Sequence, residues 1–258
     1  MQENRIKITW YGTASVRITA GSAQLLIDPF FPFPESRVKV AANAFDHCSR
    51  ILVSHGHFDH ISSIPALVRP DTRIFCTNAP YRSLLKMGVA KEHLRRIQPG
   101  DSFSAGGFQI TAYKGNHIRL GAGDILKTLC SRRVLQNRKG ILKKLRTITA
   151  CREKHESLCY LIEIAGKRIL ILGSLALDAD TVYPEGADLA FFPYQGFGSL
   201  CDAAAEICER IKPKAVLLTH FDDTFPPFSS EVDTSGFRSR MKERLPVYRL
   251  KHGGTLEL

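Results

Sequence analysis

A group of histidines that directly follows an apolar, β-branched run constrains this chain more than any other feature. The run Ile51–Ser54 is typical of a buried strand, and it is followed by His55, His57, Asp59 and His60. Imidazole and carboxylate groups are ligands that suit zinc, manganese or iron. Because His55 and His57 are two residues apart as the chain leaves a strand, their side chains point to the same side. A turn then lets Asp59 and His60 face a second position nearby, so one short loop can hold two cations.

Packing alone does not explain this group. The chain has nine histidines in 258 residues, and three of them lie within six consecutive positions. A single histidine is most often structural, whereas three at this spacing together with an aspartate indicate a metal site. The pattern therefore predicts a metal centre at the end of a strand.

Short β-rich runs and interspersed helical patterns predict one α/β domain that spans residues 1–258. No linker rich in proline or serine and no repeat divides the chain. The predicted strands are Ile6–Trp10, Ser15–Thr19, Gln24–Ile27, Ile51–Ser54, Thr72–Thr77, Phe108–Tyr113, Tyr160–Ile164, Arg168–Leu172, Leu189–Phe192 and Ala215–Thr219. The predicted helices are Pro80–Met87, Asp202–Ile211 with Asp202 as the N-cap, and Ser235–Arg244.

The composition is that of an ordinary globular protein, with 44% hydrophobic residues. The first residues contain no apolar stretch of signal-peptide length, and no segment approaches the roughly 18 apolar residues of a membrane span. We therefore expect a cytoplasmic location. The seven cysteines are scattered and odd in number, which favours reduced thiols over a disulfide framework.

The positive charge of the chain is concentrated in one segment. Of a formal net charge of +11, the stretch Arg119–Lys154 contributes +9, from eleven lysines and arginines and two acids. Its apolar residues recur at roughly helical spacing, with an interruption at Gly140, which predicts one or two amphipathic basic helices inserted at about 120–156. Such a segment favours an anionic partner, whether a phosphorylated substrate, nucleic acid or a lipid surface, although a solvated helical face would have the same pattern. The apolar residues of this pattern are Leu126, Leu129, Val134, Ile141, Leu145 and Ile148.

The histidine motif resembles the signature of the metallo-β-lactamase superfamily, which is H-x-H-x-D-H after a strand. The resemblance runs from about Lys7 to His220. Tyr11-Gly12 followed by Leu26-Ile27-Asp28-Pro29 looks like the opening hairpin of the superfamily, and His117 and His220 follow strands where it places its next metal histidines. The resemblance implies an αββα sandwich with the metals at one edge of the two sheets.

The resemblance also implies how the ligands divide between two metals. The first metal would be bound by His55, His57 and His117, and the second by Asp59, His60 and His220. Asp28 would hold a ligand histidine in its tautomer.

The chain departs from the superfamily at one position. The superfamily usually has Gly-Asp after the strand that corresponds to Arg168–Leu172, and this aspartate bridges the metals, whereas here the residues are Gly173 and Ser174. A hydroxyl is a weak ligand without charge, so we expect the second site to bind less tightly or the centre to hold one ion. Asp222 and Asp223 would either return a carboxylate to the pocket or be solvated turn residues.

The function that follows is metal-dependent hydrolysis by a metal-bound hydroxide, with zinc or manganese as the expected metal and iron as a further possibility. Asp59 and His60 are the candidate catalytic residues, because Asp59 would accept a proton or orient the nucleophile. The closest resemblance is to the branch that contains L-ascorbate-6-phosphate lactonase. We therefore expect a small anionic substrate such as a phosphorylated ester, a lactone or a phosphodiester. Tyr194, Phe221 and Phe225 are candidates for the substrate pocket wall.

Other functions stay open at this point. The chain could be a phosphodiesterase, a nuclease or a phospholipase D-like enzyme that acts on nucleic acid or membrane lipid. Against nucleic acid, the basic insert contains no aromatic residue to stack on bases. The chain could also be a non-catalytic metal-binding or sensor module. Assembly into a homo-oligomer is also expected, and the apolar face of the insert would pack either on the domain or on a second subunit.

Overall fold

Two seven-stranded sheets face each other at the centre of the protein. The computed structural model describes residues 5–117, 132–136, 141–151, 155–196 and 198–258. The first sheet has the strand order β14-β1-β2-β3-β4-β5-β6, with β1 (Ile6–Gly12), β2 (Ser15–Ala20), β3 (Ala23–Ile27), β4 (Arg50–Leu52), β5 (Arg73–Cys76), β6 (Leu94–Arg96) and β14 (Thr255–Glu257). The second has the order β13-β12-β11-β10-β9-β8-β7, with β7 (Ser102–Ala105), β8 (Phe108–Lys114), β9 (Leu158–Ile164), β10 (Lys167–Ile171), β11 (Leu189–Pro193), β12 (Val216–Thr219) and β13 (Val247–Tyr248).

Helices cover the outer faces of both sheets. They are α1 (Phe58–Ile61), α2 (Asn78–Lys86), α3 (Arg132–Gln136), α4 (Ile141–Ala150), α5 (Leu200–Ile211) and α6 (Ser235–Met241). Leu84 of α2 packs with Ile51 and Ile74 of the first sheet, and Phe237 of α6 stacks on Phe192 of the second. This arrangement is the predicted αββα sandwich. None of the described helices is long and apolar enough to cross a membrane.

The core lies between the two sheets, and the burial pattern of each strand shows why. In β1 the alternate residues Ile6, Ile8 and Trp10 are buried, because one face of this strand points into the core. Every residue of Leu189–Pro193 and of Val216–Thr219 is buried, which is expected of parallel strands covered on both faces.

The parallel strands of the two sheets place the residues of interest at one edge of the sandwich. Strands β3 to β6 run parallel to one another, and so do β10 to β12. Asp28 and His55 follow β3 and β4, while Ser174 and His220 follow β10 and β12. Because carboxyl ends of parallel strands lie at the same edge, these side chains can meet.

All ten predicted strands are present within two residues of their expected ends, but some details differ. The helix expected to be capped by Asp202 begins at Leu200, and the hydroxyl of Ser199 accepts the Asp202 N–H at 3.4 Å. Asp202 therefore lies inside the first turn, because Ser199 is the better placed cap. The helix expected to reach Arg244 ends at Met241, which fits a chain that approaches Pro246.

The basic insert contains two short helices in its described part, α3 and α4, as the apolar spacing predicts. Gly140, Leu126 and Leu129 lie outside the described residues. Strands β6, β7, β13 and β14 and the four-residue helix α1 were not predicted. Strands β6, β13 and β14 are too short for a periodic pattern to show.

Candidate metal centre

The loop after β4 carries most of the candidate ligands, and a short helix fixes their directions. His57 has extended backbone and precedes α1, which begins at Phe58. One helical turn then directs Asp59 and His60 into the protein, where they are 5% and 1% exposed. His55 is 2% exposed, so this part of the loop is removed from solvent.

The first cluster consists of His55, His57 and His117. One ligand atom from each lies within 4.8 Å of the others. His55 Nε2 is 3.1 Å from His57 Nδ1, and the ring of His117 has its centroid 4.9 Å and 4.6 Å from those of His55 and His57. Three imidazoles from two distant parts of the chain thus converge on one point.

The second cluster consists of Asp59, His60 and His220, again with ligand atoms within 4.8 Å. Asp59 Oδ2 is 3.0 Å from His220 Nε2 and 3.8 Å from His60 Nε2. His220 has left-handed backbone, with φ of 59°, which turns its side chain back toward the first sheet. Among the described residues its buried Nδ1 atom has no hydrogen-bond partner.

A carboxylate beneath the two clusters orients their histidines. Asp28 accepts the backbone N–H of Ser54 at 2.8 Å and the Ser54 hydroxyl at 2.5 Å. It also accepts from Nδ1 of His60 at 2.9 Å. The Ser54 hydroxyl donates its proton to Asp28, so its oxygen can only accept from His55. The Nδ1–H of His55 therefore donates to Ser54 Oγ at 3.0 Å. Both histidines therefore present Nε2 to the clusters, with Asp28 in contact with His60 directly and with His55 through Ser54.

The electrostatics of the clusters suit cation binding. Burial lowers the pKa of His55 well below its ordinary value, and burial lowers that of His57 to about 4, so both are neutral near pH 7. Burial alone would raise the pKa of Asp59, but His60 and His220 outweigh it and lower the pKa, which keeps the carboxylate ionised. Burial by itself would lower the pKa of His60, but Asp28 and Asp59 together raise it.

The residues fit one or two transition-metal ions. Two nitrogen ligands of a tetrahedral zinc are about 3.3 Å apart, given Zn–N distances of roughly 2.0–2.1 Å. The 3.1 Å separation in the first cluster is close to that value. Two histidines and one carboxylate, as in the second cluster, suit zinc, manganese or iron.

The Gly173-Ser174 step lies against the metal loop. A Cβ atom on Gly173 would come within 2.5 Å of the Leu158 carbonyl and 3.3 Å of Ser54 Cβ, so only glycine allows this approach. Ser174 is 7% exposed beside this contact. Position 174 therefore directly follows a residue that contacts the metal loop, and its side chain is a neutral hydroxyl.

Neither aspartate after His220 is part of the two clusters found among the described residues. Asp222 is 3% exposed, accepts the Thr13 N–H at 2.9 Å and contacts His252 Nε2 at 2.8 Å. Asp223 pairs with Arg133 at 2.6 Å. Both carboxylates thus form hydrogen bonds or ion pairs with residues outside the two clusters.

The three aromatic candidates have different surroundings. Phe225 lies 5.0 Å from Phe58 and 6.5 Å from His220 between ring centroids, so it stands beside the second cluster. Phe221 is 2% exposed and packs on Trp10. Tyr194 is 2% exposed and stacks on Phe237 of α6, in the main core.

The described part of the basic insert lies beside the metal loop. Helix α4 contacts α1, and Ile148 packs at the edge of the apolar cluster that contains Phe58. Two cations of the basic insert form ion pairs with the body of the protein. Lys144 lies 3.0 Å from Glu35, and Arg133 pairs with Asp223.

Two further residues of the site, Ser54 and His252, were not predicted from the sequence. Ser54 contributes through a hydroxyl that packs between Asp28 and two histidines. His252 lies 30 residues beyond its partner Asp222. Serine directly before the first histidine is a signal that could have pointed to Ser54.

Comparison with known proteins agrees with this geometry. A family model described as a β-lactamase superfamily domain matches residues 7–220. A metal-dependent hydrolase from Xanthobacter autotrophicus is 32% identical over 126 residues, which are 46% of this chain and 51% of the relative. The chain spans about half the length of the curated relatives that it matches.

Solved structures share the fold. A metallo hydrolase from the hyperthermophilic archaeon Ignicoccus hospitalis superposes with a TM-score of 0.69 at 16% identity, covering 98% of each chain. A metallo-β-lactamase fold protein from Bacillus subtilis superposes with a TM-score of 0.63 at 18% identity, covering 99% of this chain and 100% of that one. At such identities the likeness shows the fold alone.

Proposed function

The chain belongs to the metallo-β-lactamase superfamily, and from that membership we propose that it is a metal-dependent hydrolase of a small anionic substrate. The observation that carries the proposal is the pair of ligand clusters at one edge of the two sheets. The naming of the Xanthobacter relative as a metal-dependent hydrolase supports it. A bound divalent cation would supply Lewis acidity and lower the pKa of a coordinated water toward neutrality.

The residues of the two clusters would have different roles. His55, His57 and His117 would hold the first cation, and Asp59, His60 and His220 would hold the second. Asp59 is the ionised carboxylate within the clusters, so it is the group placed to accept a proton from the attacking water or to orient it. If the second cation is absent, Asp59 is free to act as the general base.

Asp28 keeps His60 in place for this role. Its carboxylate accepts from His60 Nδ1, which leaves Nε2 directed at the second cluster. Phe58 and Phe225 form an apolar wall near His220, which would exclude water on one side of the substrate.

The class of substrate is inferred from charge. A phosphorylated ester, a lactone or a phosphodiester fits the net charge of +11 and the basic helices beside the metal loop. Zinc or manganese is the metal that we favour, with iron as an alternative. A phosphodiesterase, nuclease or phospholipase D-like activity is a second outcome that a substrate panel can detect, and so is a non-catalytic metal-binding module. Assembly as a homo-oligomer is part of the same proposal.

Metal analysis joined to a substrate panel tests the proposal. The purified protein should carry one to two equivalents of transition metal and hydrolyse a phosphodiester, a phosphorylated lactone or a thioester. The His57→Ala variant should lose metal from the first cluster and lose hydrolysis, while the control His93→Ala, outside the clusters, should keep both. A His57→Ala protein with full metal and full activity would refute the assignment.

A further inference from the structure

A cavity of about 830 Å³ lies next to the metal centre but is lined by none of the six cluster residues. Residues 221–223 and 249–252 form two of its sides, and Arg37 and Arg133 are also part of its lining. We call it the C-terminal cavity. Its volume is in the range of pockets that bind small molecules, roughly 300–1,000 Å³.

The charges in the C-terminal cavity do not cancel. Its lining includes four cations and three carboxylates. Each carboxylate already has a partner: Asp222 has Thr13 and His252, Asp223 has Arg133, and Glu231 has Arg249 at 2.6 Å. Two cations of the lining thus have no carboxylate partner within it, and the lining as a whole has one more cation than carboxylates when His252 is left out of the count.

Those remaining cations are Arg37 and Lys251, which are both exposed. In the described part of the chain, neither has an ion-pair partner. They come from separate segments, the loop after β3 and the turn between β13 and β14, so the fold brings two positive charges to one hollow. Two such groups match a dianionic phosphate better than a single carboxylate.

A fixed imidazole adds a polar group to the same cavity. His252 Nε2 contacts the buried Asp222 carboxylate at 2.8 Å, and Trp10 stacks on the His252 ring with centroids 4.8 Å apart. Gly12 makes room for this pair, because a Cβ there would come within 2.9 Å of Asp222 Oδ2. His252 is thus held from two sides, with its side chain one-third exposed.

From this arrangement we propose that the C-terminal cavity binds a small phosphate-bearing anion, held by Arg37 and Lys251 with His252 as a further polar contact. The site is distinct from the metal centre, and the inference does not depend on hydrolysis there. Thr13 links the two places, since its carbonyl accepts the His220 N–H at 2.7 Å and its N–H donates to Asp222.

Inorganic pyrophosphate is the probe, and Trp10 is the reporter, because it is the only tryptophan and stacks on His252. Pyrophosphate is titrated at low salt into the wild type, His57→Ala, Arg37→Gln/Lys251→Gln and the control Arg82→Gln/Lys86→Gln. The control removes the same charge from exposed positions on α2. Binding is followed by Trp10 fluorescence and, independently, by calorimetry.

We expect equal dissociation constants for the wild type, His57→Ala and the control, and a weakening of about tenfold or more for Arg37→Gln/Lys251→Gln. Unchanged binding to that double variant overturns the proposal, and so does the absence of binding by both readouts. Binding that disappears in His57→Ala would place pyrophosphate at the metal centre, which overturns this proposal and leaves the proposed function intact.

Discussion

The two clusters of the metal centre hold their ligand atoms in different ways. In the first, neutral His57 can move its single proton to Nε2, which frees Nδ1 for a cation by a change of tautomer alone. In the second, Asp59 Oδ2 and His220 Nε2 lie 3.0 Å apart in a charge-assisted hydrogen bond, which a cation has to replace. Two clusters with the same number of ligands can therefore differ in their affinity for a metal ion. We expect a tight first site and a weaker second one.

The largest effect is expected from removing the carboxylate of the second cluster. Asp59→Asn keeps the shape of the side chain but removes its charge and its ability to accept a proton. Hydrolysis of the substrate found in the panel should fall by about a thousandfold in kcat/KM, while about one equivalent of metal stays in the first cluster. The control Asp223→Asn, which changes an aspartate outside the clusters, should stay near wild type.

A loss of less than tenfold in Asp59→Asn would show that Asp59 has neither role. Loss of all metal from the same variant would show that the clusters are not separate sites.

A smaller effect is expected at Asp28, which touches the second cluster through His60. Asp28→Asn should weaken binding of the second metal by about 10- to 100-fold, because His60 loses the acceptor that fixes its tautomer. Zinc affinity measured by competition with a chelator checks this. Because Asp28 reaches His55 only through Ser54, binding of the first metal should weaken less. Equal weakening at both clusters would show that this indirect contact matters as much as the direct one to His60.

Much of this centre could be predicted because its residues are close in sequence or follow strands. His55, His57, Asp59 and His60 lie in one loop, and His117 and His220 follow apolar strands that sequence pattern alone indicates. The αββα fold follows from the same alternation of strands and helices.

The parts that sequence did not predict depend on contacts between distant segments. The pairing of Asp222 with His252 requires the turn before β14 to return to the loop after β12, and no local pattern encodes that return. The stacking of Tyr194 on Phe237 is a second example, because the two residues lie more than 40 positions apart in the chain.

A carboxylate at position 174 should bring the metal affinities of the two clusters closer together. Ser174→Asp places a charged ligand beside the Gly173–Ser54 contact and should raise metal occupancy toward two equivalents. Ser174→Asn is the matched control, with similar size and no charge. If the wild type already holds two tightly bound metals that Ser174→Asp does not alter, the explanation offered for this position is wrong.

The smallest effect concerns the basic helices. Arg132 and Arg146 are exposed, whereas Lys144 is paired with Glu35. Replacing both Arg132 and Arg146 by glutamate should raise KM for an anionic substrate about threefold at low salt. The kcat should stay unchanged, because only electrostatic attraction is lost. A KM that does not change with ionic strength in either protein would leave the insert as a scaffold.

A zinc titration of the metal-depleted protein tests the difference between the clusters most directly. Calorimetry should resolve a tight first equivalent and a weaker second one. The tight step should disappear in His55→Ala, and the weak step should disappear in His220→Ala. Two equally tight steps, or one step that neither substitution changes, would contradict the account of two unequal clusters.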